Sequence, residues 1–499
     1  MRSESRHTWF RLIIAGGLIL GLLGSGNLHA QDAAKSKSGQ ERAPASPGAK
    51  APALPAGQQA FPINLPTALQ LANAQAIDIA IASQRIEVAA AQLERAQKLW
   101  LPTIYLGTDY YRHDGQIQET PGTVFGTSRT SFMVGAGPSA VFAVSDAIFE
   151  PLSARQVVRA REAAFQTANN DTMLAVAEAY FTVQQARGEL AGAQDAARRA
   201  DELVQQVEKL LAGGFTAEVE VTRARADLAH RRQTVRIAGD HWRVAASDLQ
   251  RILRLEPTAL VEPQEPPQLA VTIVPLDQKV DELIPLALMN RPELAAQQAL
   301  VQATLARLRQ ERLRPLIPSV LLRGASTPVT GTLAGGLYGG GKNDFMGNFS
   351  ARSDFDLQFV WELQNLGFGN RARANERRGE HEISILELFR LQDQVAADVV
   401  QSYTLAQSAA GRIKDAEAEL REAVDSVEKN LLGVSQTKEL DRRKAAQLVI
   451  RPQEVVAAIQ SLAQAYGDYY GAIADYNRAQ FRLYRALGHP AQTVQIPKN

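Results

Sequence analysis

One stretch of the sequence has the residue types and spacing of a phosphate-binding loop. The run "GGLYGGGKN", residues 335–343, places Gly336, Gly341 and Lys342 in the pattern G-x-x-x-x-G-K, in which backbone N–H groups and a lysine hold phosphates. A working loop of this kind continues with Ser or Thr and then a helix. Here Asn343 follows, and the chain continues into a strand-like segment. The sequence therefore disfavours nucleotide binding and predicts an external loop between two strands.

No other group of residues has the spacing that catalysis or metal binding requires. The chain has no cysteine, which excludes disulfides, thiolate ligands and thiol nucleophiles. Its seven histidines are scattered without ligand spacing, and no nucleophile has a base nearby in the sequence. The net charge of +1 gives no bias toward nucleic acid. We therefore predict no catalytic residues, no cofactor and no metal site, and a protein that is not an enzyme.

The N-terminal segment has the features of a cleaved export signal. Three arginines precede an apolar run over residues 12–23, and small and polar residues follow it. The run is too short to span a bilayer, so we predict a signal peptide over residues 1–30. Residues 31–61 are rich in Ala and Pro and predict a flexible spacer. No later run reaches the length of a membrane-spanning helix, which leaves a soluble protein or a β-barrel in an outer membrane.

A sustained heptad pattern predicts a long helical hairpin. Apolar residues recur at alternating steps of three and four from Val176 to Leu211, and again from Ala217 to Ile252. That period is the one that coiled-coil packing requires. The "AGGFT" between the two runs breaks the helix, so the two helices are predicted to be antiparallel. A helix over residues 150–211 would be about 90 Å long, which indicates a rod rather than a globular core.

The second half of the chain repeats the plan of the first. Each half opens with a helical segment that contains an asparagine, Asn73 or Asn290, and reaches a proline, Pro102 or Pro318, at nearly the same separation. A duplication of this length indicates two structural repeats. The predicted boundaries are a first repeat over 62–257, a linker over 258–280, a second repeat over 281–490 and a tail over 491–499.

Each half also contains strand-like segments with one apolar and one polar face. The clearest are residues 103–111 and 354–361, with weaker partners near 130–145 and 319–329. About ten residues of this alternation are typical of a membrane-spanning strand, although a half-buried strand of a soluble sheet has the same pattern. The aromatic residues predicted to face lipid or its boundary are Tyr110, Phe132, Phe355, Phe359 and Trp361.

Four strands are too few to close a barrel, which needs about eight. Open strand edges are not tolerated in lipid, so several chains would have to contribute strands to one barrel. Three chains would supply twelve strands, with the helical hairpins continuing as a tube below them.

At this point the sequence resembles the TolC-like outer-membrane efflux proteins over residues 62–490. The resemblance rests on "ALMNRPEL" from Ala287, on the "GGF-T-x-x-x-V-x-x-A" turn at Gly213–Ala224 and on the helix end "RALGHP". It implies an α+β fold, mostly α, in a homotrimer with a twelve-stranded barrel, four strands per chain, in the bacterial outer membrane. A long α-helical tunnel would extend into the periplasm.

The resemblance also implies partners and a transport role. Such proteins are exit ducts of tripartite efflux or type I secretion systems, and they work with a periplasmic adaptor and an inner-membrane pump. They contact outer-membrane lipid and no nucleic acid. The alternatives left open are a periplasmic adaptor and a structural coiled-coil protein of the cell envelope, both of which lack the paired strand segments seen here.

Two groups of residues follow from the resemblance as candidate sites. The turns of the two helical hairpins would contact the adaptor, although each could be a plain helix reversal. Charged residues in the turn of the second hairpin could narrow the periplasmic entrance as a gate, or form a solvated turn. The adaptor-contact candidates are Gly213, Gly214, Phe215, Thr216, Gly433 and Val434, and the gate candidates are Glu439, Asp441, Arg442 and Arg443.

Overall fold

The computed structural model describes residues 59–256, 259–323, 333, 335–342, 345–436 and 451–489. The predicted signal peptide, most of the predicted spacer and the predicted tail lie outside these residues. The elements in chain order are β1 (Gln59–Ile63), α1 (Leu65–Gln75), α2 (Ile77–Gln97), β2 (Thr103–Gln118), β3 (Val124–Ala143), α3 (Val144–Ala212), α4 (Glu218–Leu253), β4 (Ala259–Pro263), α5 (Val280–Asn290), α6 (Pro292–Leu313), β5 (Ser319–Arg323), β6 (Gly335–Lys342), β7 (Gly347–Ser353), β8 (Asp356–Val360), α7 (Phe368–Gln436) and α8 (Pro452–Ala486).

The same succession of helix lengths occurs twice along the chain. The long helices α3 and α7 have 69 residues each, and the helices that follow them, α4 and α8, have 36 and 35. The short pairs also match, with 11 residues in α1 and α5 and with 21 and 22 in α2 and α6. The predicted fold class, α+β and mostly α, is confirmed.

The heptad pattern buries one stripe of each long helix. Val176, Val183 and Leu190 are buried along α3, one heptad apart, in a core with α4 and α8. Alanines between them let the helix axes approach closely. At 1.5 Å per residue α3 is about 100 Å long, so the predicted rod is also correct.

The helices form a single layer with a definite order. α3 contacts α2 and α4 on one side and α6 and α8 on the other, and α7 contacts α6 and α8. Across the layer the order is therefore α2 and α4, then α3, then α6 and α8, and finally α7. The two edges of the layer are formed by α2 with α4 and by α7. Within the described part of the chain, no helix is both long and apolar enough to cross a membrane.

The strands of the main sheet join into four composite strands. β5 and β6 both pair antiparallel with β3, at residues 140–143 and 129–136 respectively, so they lie end to end along one side of it. β8 and β7 pair with β5 and β6 in the same way, and β2 pairs with the other side of β3. The order is thus β2, β3, β5 with β6, and β7 with β8, all antiparallel. Four strands per chain is what the sequence predicted.

A separate pair of strands lies beside the helices. β1 and β4 pair in parallel, and Tyr180 of α3 donates a hydrogen bond to the carbonyl of Ile63 at 3.3 Å. Residues 59–61 of the predicted spacer thus belong to β1, and the predicted linker contains β4. The rest of that linker is held to α8, because Asn477 accepts from Val271 N at 2.7 Å and donates to the Leu269 carbonyl at 2.8 Å.

Candidate functional site

One face of the four-stranded sheet is a continuous apolar surface. Residues directly opposite each other in antiparallel strands share a face, and the register links Thr108, Val134, Leu337 and Ala351 in one row. Large apolar side chains on this face are exposed to an unusual degree, up to 80% for Leu106. Further exposed members are Ile104, Tyr110, Phe349, Leu357 and Phe359. Such a face requires an apolar environment outside the chain.

The opposite face of the same sheet is polar. Asp109, Tyr338 and Ser350 share one row, and the Arg352 guanidinium lies 4.8 Å from the centroid of the Tyr338 ring. Arg352 also donates a hydrogen bond to Asp354 at 2.7 Å. One apolar and one polar face, both reaching solvent in a single chain, are what a membrane β-barrel strand requires.

The glycine-rich run that resembled a phosphate-binding loop is a strand, and the prediction of an external loop was wrong. Gly335–Lys342 forms β6, in the middle of the sheet between β3 and β7. A Cβ at Gly336 would lie 2.1 Å from the Val134 carbonyl, and one at Gly339 would lie 2.4 Å from the Phe349 ring. The glycines therefore permit close strand packing and let an aromatic ring cover the backbone.

The predicted membrane-facing aromatic residues lie on the apolar face. Tyr110 and Phe132 are directly opposite each other in β2 and β3, and Tyr110 is 55% exposed while Phe132 is half-buried. Phe355, Phe359 and Trp361 are exposed at or beside β8. Their contact with lipid stays a prediction.

The turn of the first hairpin has a complete structural explanation. Gly214 has φ of +72°, and the N–H groups of Gly214 and Phe215 donate to the carbonyls of Leu211 and Leu210, both at 2.9 Å. This is the Schellman arrangement that ends many helices. A Cβ at Gly213 would lie 2.7 Å from the Phe215 ring, so this position also requires glycine.

The exposed surface at this turn differs from the predicted residues. Phe215 and Thr216 are half-buried, and Phe215 packs against the apolar core between the hairpins. The exposed apolar side chains beside the turn are Leu211, at 37%, and Val219, at 52%. The exposure of Val219 could have been predicted from the heptad pattern, because Val219 is not at one of the buried heptad positions of α4.

Gly433 and Val434, the residues predicted at the tip of the second hairpin, lie within a helix. Gly433 and Val434 are in the last turns of α7, which ends at Gln436, and Val434 is buried in the core between the hairpins. The heptad seam continues through Val434, so the helix cannot reverse at Gly433. The gate candidates Glu439, Asp441, Arg442 and Arg443 lie outside the described residues.

Two glycines bring α3 into close contact with α8 and so join the two hairpins. Gly188 faces the Tyr470 ring and Gly192 faces the Tyr466 ring, with added Cβ atoms falling 2.5 and 2.6 Å from the nearest atoms. The two rings stack, with centroids 6.3 Å apart. Tyr466 donates a hydrogen bond to Asp195 at 3.2 Å, which fixes the ring against α3.

A partly buried charge network joins α3, α6, α7 and α8. Arg291, only 4% exposed at its side chain, donates to Asp398 at 2.8 Å, and Arg485 donates to Glu293 at 2.6 Å and to Asp171 at 2.7 Å. Burial raises the pKa of Glu293 above its ordinary 4.5, more than the neighbouring Arg291 lowers it. Burial likewise raises the pKa of Asp171, against the lowering by Arg291. Nothing in this network resembles a catalytic group, since all its members pair with one another.

A row of basic residues at the far end of the sheet was not predicted from the sequence. The register places His113, Arg129 and Lys342 side by side on the polar face, close to the turn at 119–123 and to the end of β6 at Lys342. The signal was present in the alternation of β3, where Arg129 falls on the face opposite Phe132. Among the described residues, no cluster of three or more His, Asp or Glu side chains could hold a metal ion.

The chain is similar to known proteins in part of its sequence and in its fold. Residues 68–253 match the family described as Outer membrane efflux protein. The outer-membrane channel OprN has a TM-score of 0.68 at 16% identity, with 85% of this chain and 89% of that chain covered. No curated protein matches the sequence.

Two further channel structures have nearly the same similarity. CmeC of Campylobacter jejuni has a TM-score of 0.65 at 15% identity, with 85% of each chain covered. VceC of Vibrio cholerae also has a TM-score of 0.65, at 14% identity, with 85% of this chain and 96% of that chain covered. At these identities the likeness shows the fold, which is the mostly α fold of outer-membrane channels.

Proposed function

We propose that the protein is the passive exit duct of a tripartite efflux or type I secretion system in the outer membrane. Two findings support this proposal: residues 68–253 match the outer membrane efflux protein family, and the chain has the fold of outer-membrane channels. In this proposal three copies form a twelve-stranded barrel that the helices continue into the periplasm. An adaptor and an inner-membrane pump would supply the substrate and the energy.

The observation that carries this proposal is the pair of open edges on the two-faced sheet. β2 pairs only with β3, and β7 with β8 pairs only with β6 and β5, among the described strands. Open edges in lipid leave backbone groups unsatisfied, so another strand must cover each one. β2 and the β7 with β8 strand run antiparallel, so one edge can pair with the other edge of a second copy.

The two edges of the helical layer are connected along the chain to the two open edges of the sheet. α2 leads into β2, and β8 leads through a short turn to α7, so the two open ends of the layer lie below the two open edges. α2 borders an apolar groove of about 470 Å³ lined by Ile77, Ile81 and Val88. On α7, Ile383 and Leu386 are 58% and 63% exposed. Joining α7 of one copy to α2 of the next would bury both surfaces.

Disulfide trapping tests this closure directly, because the chain has no cysteine of its own. We expect Leu106→Cys in β2, combined in turn with Phe349→Cys, Ala351→Cys or Leu357→Cys, to give covalent trimers under oxidation in at least one pairing. Bridged Cβ atoms must come within about 4.5 Å, so only the true register will react. Leu106→Cys combined with Val244→Cys on α4 is the control that should not react.

Two results of this experiment would contradict the proposal. One is the absence of any covalent trimer across the three pairings. The other is recovery of the mature protein from the soluble periplasm, which is where a periplasmic adaptor or a structural coiled-coil protein could be found. Membrane fractionation of the same cells separates these alternatives.

We further propose that the turn of the first hairpin contacts the adaptor. Gly213, Gly214, Phe215 and Thr216 shape this turn, and Val219 offers an exposed apolar side chain beside it. Val219→Arg should reduce the amount of periplasmic adaptor that copurifies with the protein. Val244→Arg, on the same helix at 64% exposure but far from the turn, should not. Equal copurification of both variants would refute this contact.

The second hairpin is the proposed place of a gate. Gly433 and Val434 would support the end of α7 rather than touch the adaptor, and Glu439, Asp441, Arg442 and Arg443 remain the candidates for charged side chains around the entrance. Neutralising these four charges should raise the conductance of the purified channel in a planar bilayer. Unchanged conductance would count against a gate there.

A further inference from the structure

The row of His113, Arg129 and Lys342 differs from the rest of the polar face in having no compensating charge. Arg352 has Asp354 at 2.7 Å, but neither Arg129 nor Lys342 has an ion pair or a side-chain hydrogen bond among the described residues. Both side chains are exposed, and the Nε2 atom of His113 is buried without a hydrogen-bond partner there.

The arrangement is unfavourable for folding by itself. Arg129 and Lys342 are directly opposite each other in neighbouring strands, and like charges in that position destabilise a sheet. No described carboxylate relieves their repulsion. An anion between them would do so, because both side chains donate hydrogen bonds and carry full positive charge.

The row also has a definite place along the strands. The helices join the sheet at Thr103 and Ala143. At ~3.3 Å per residue, His113 lies about 33 Å along β2 from Thr103, and Arg129 lies about 46 Å along β3 from Ala143. The row is therefore near the end of the sheet that is remote from the helices. If the proposed duct is correct, that end is the outer mouth, and the polar face lines its lumen.

We propose that this basic row, repeated in each subunit, makes the outer mouth of the duct attract anions, so that the channel favours anionic over cationic solutes. The inference rests on the proposed function, because only a closed barrel directs all the rows into one lumen. Two fixed cations per chain, Arg129 and Lys342, give six in a trimer. With each about 10 Å from the axis, the field would concentrate monovalent anions about five-fold at ~0.1 M salt and hardly at all at ~1 M.

Ion selectivity in a planar bilayer tests the proposal. Purified trimers are placed in a KCl gradient, and the chloride-to-potassium permeability ratio is compared between the wild type and the double variant Arg129→Gln with Lys342→Gln. The ratio should fall by about five-fold or more at ~0.1 M salt and converge with the wild-type value at ~1 M.

A control variant removes one positive charge per chain on the other face. Arg112 is next to His113 in β2 and, by strand alternation, lies on the apolar side, where it pairs with Asp114 at 2.6 Å. Arg112→Gln should leave the permeability ratio unchanged. A double variant that conducts with the wild-type ratio, or an Arg112→Gln variant that shifts the ratio equally, would overturn the proposal while the duct itself stands. If the wild-type protein forms no channel, the proposed function fails, and the inference fails with it.

Discussion

The contact between α3 and α8 predicts that two glycine-to-alanine substitutions change the stability of the protein in opposite directions. Gly188→Ala should destabilise the protein, because the new Cβ would lie 2.5 Å from the Cγ and Cδ1 atoms of Tyr470. Gly467→Ala, in α8 itself, should be neutral or stabilising, because nothing lies within 4 Å of the new Cβ. Both sites are helical, so the intrinsic gain from alanine is the same.

The magnitude follows from two opposing contributions. Replacing a helical glycine with alanine is favourable by about 1 kcal/mol, and overpacking a close contact costs about 1–3 kcal/mol. The Tyr470 ring cannot easily move aside, since it stacks on Tyr466 and has an edge contact with Tyr469 at 5.4 Å. The clash also involves Cγ, the ring atom bonded to Cβ, rather than the flexible end of a side chain. Gly188→Ala should therefore be about 1–3 kcal/mol less stable than Gly467→Ala.

Thermal unfolding of the detergent-solubilised protein, followed by circular dichroism at the helix signal, measures this difference. A Tyr470→Leu substitution should relieve the clash, so the double variant with Gly188→Ala should be more stable than the sum of the two single changes predicts. If Gly188→Ala melts at or above the temperature of Gly467→Ala, the close approach of α3 and α8 is not as described and the reasoning fails.

Three further predictions concern the buried polar contacts. Arg291→Ala should cost about 2 kcal/mol in unfolding free energy, less than a fully buried pair, because its partner Asp398 is 36% exposed; urea unfolding measures it. Asn477→Ala should leave the Val271 N–H without its partner at a cost of about 1–3 kcal/mol, detected as faster proteolysis near residues 269–271. Burial raises the pKa of Glu293, so its ionisation opposes folding as the pH rises above 4.5. The stability of Glu293→Gln relative to the wild type should therefore increase from acidic to neutral pH. If the melting temperatures of the variant and the wild type differ by the same amount at both pH values, this prediction is contradicted.

The periodic parts of the chain could be predicted from the sequence, and the reason is physical. The seams of α3 and α4 repeat a short-range rule over many heptads, so a local pattern determines which face is buried. The two-faced segments at β2 and β8 obey an equally local rule of alternation. The number of strands per chain followed from these patterns alone.

The glycine-rich strand could not be predicted in the same way. Gly335–Lys342 has few side chains from which to read alternation, and its place in the sheet depends on Gly135, Val134 and Phe349, which are distant in sequence. The tip residues of the second hairpin could not be predicted for a related reason. The resemblance placed Gly433 and Val434 at the tip, but both lie in α7, and Val434 is buried in the core between the hairpins.

Within the described residues α3 and α7 have the same length, which has a structural consequence for the proposed tube. Each 69-residue helix runs beside two shorter helices placed one after the other, α2 and α4 beside α3 and α6 and α8 beside α7. Where α3 faces α6 and α8, the first repeat borders the second, and where α7 would face α2 and α4, one chain borders the next. Both borders must have the same height for the wall to close without a step. The matched helix lengths thus allow two repeats in each of three chains to act as six similar units around one axis.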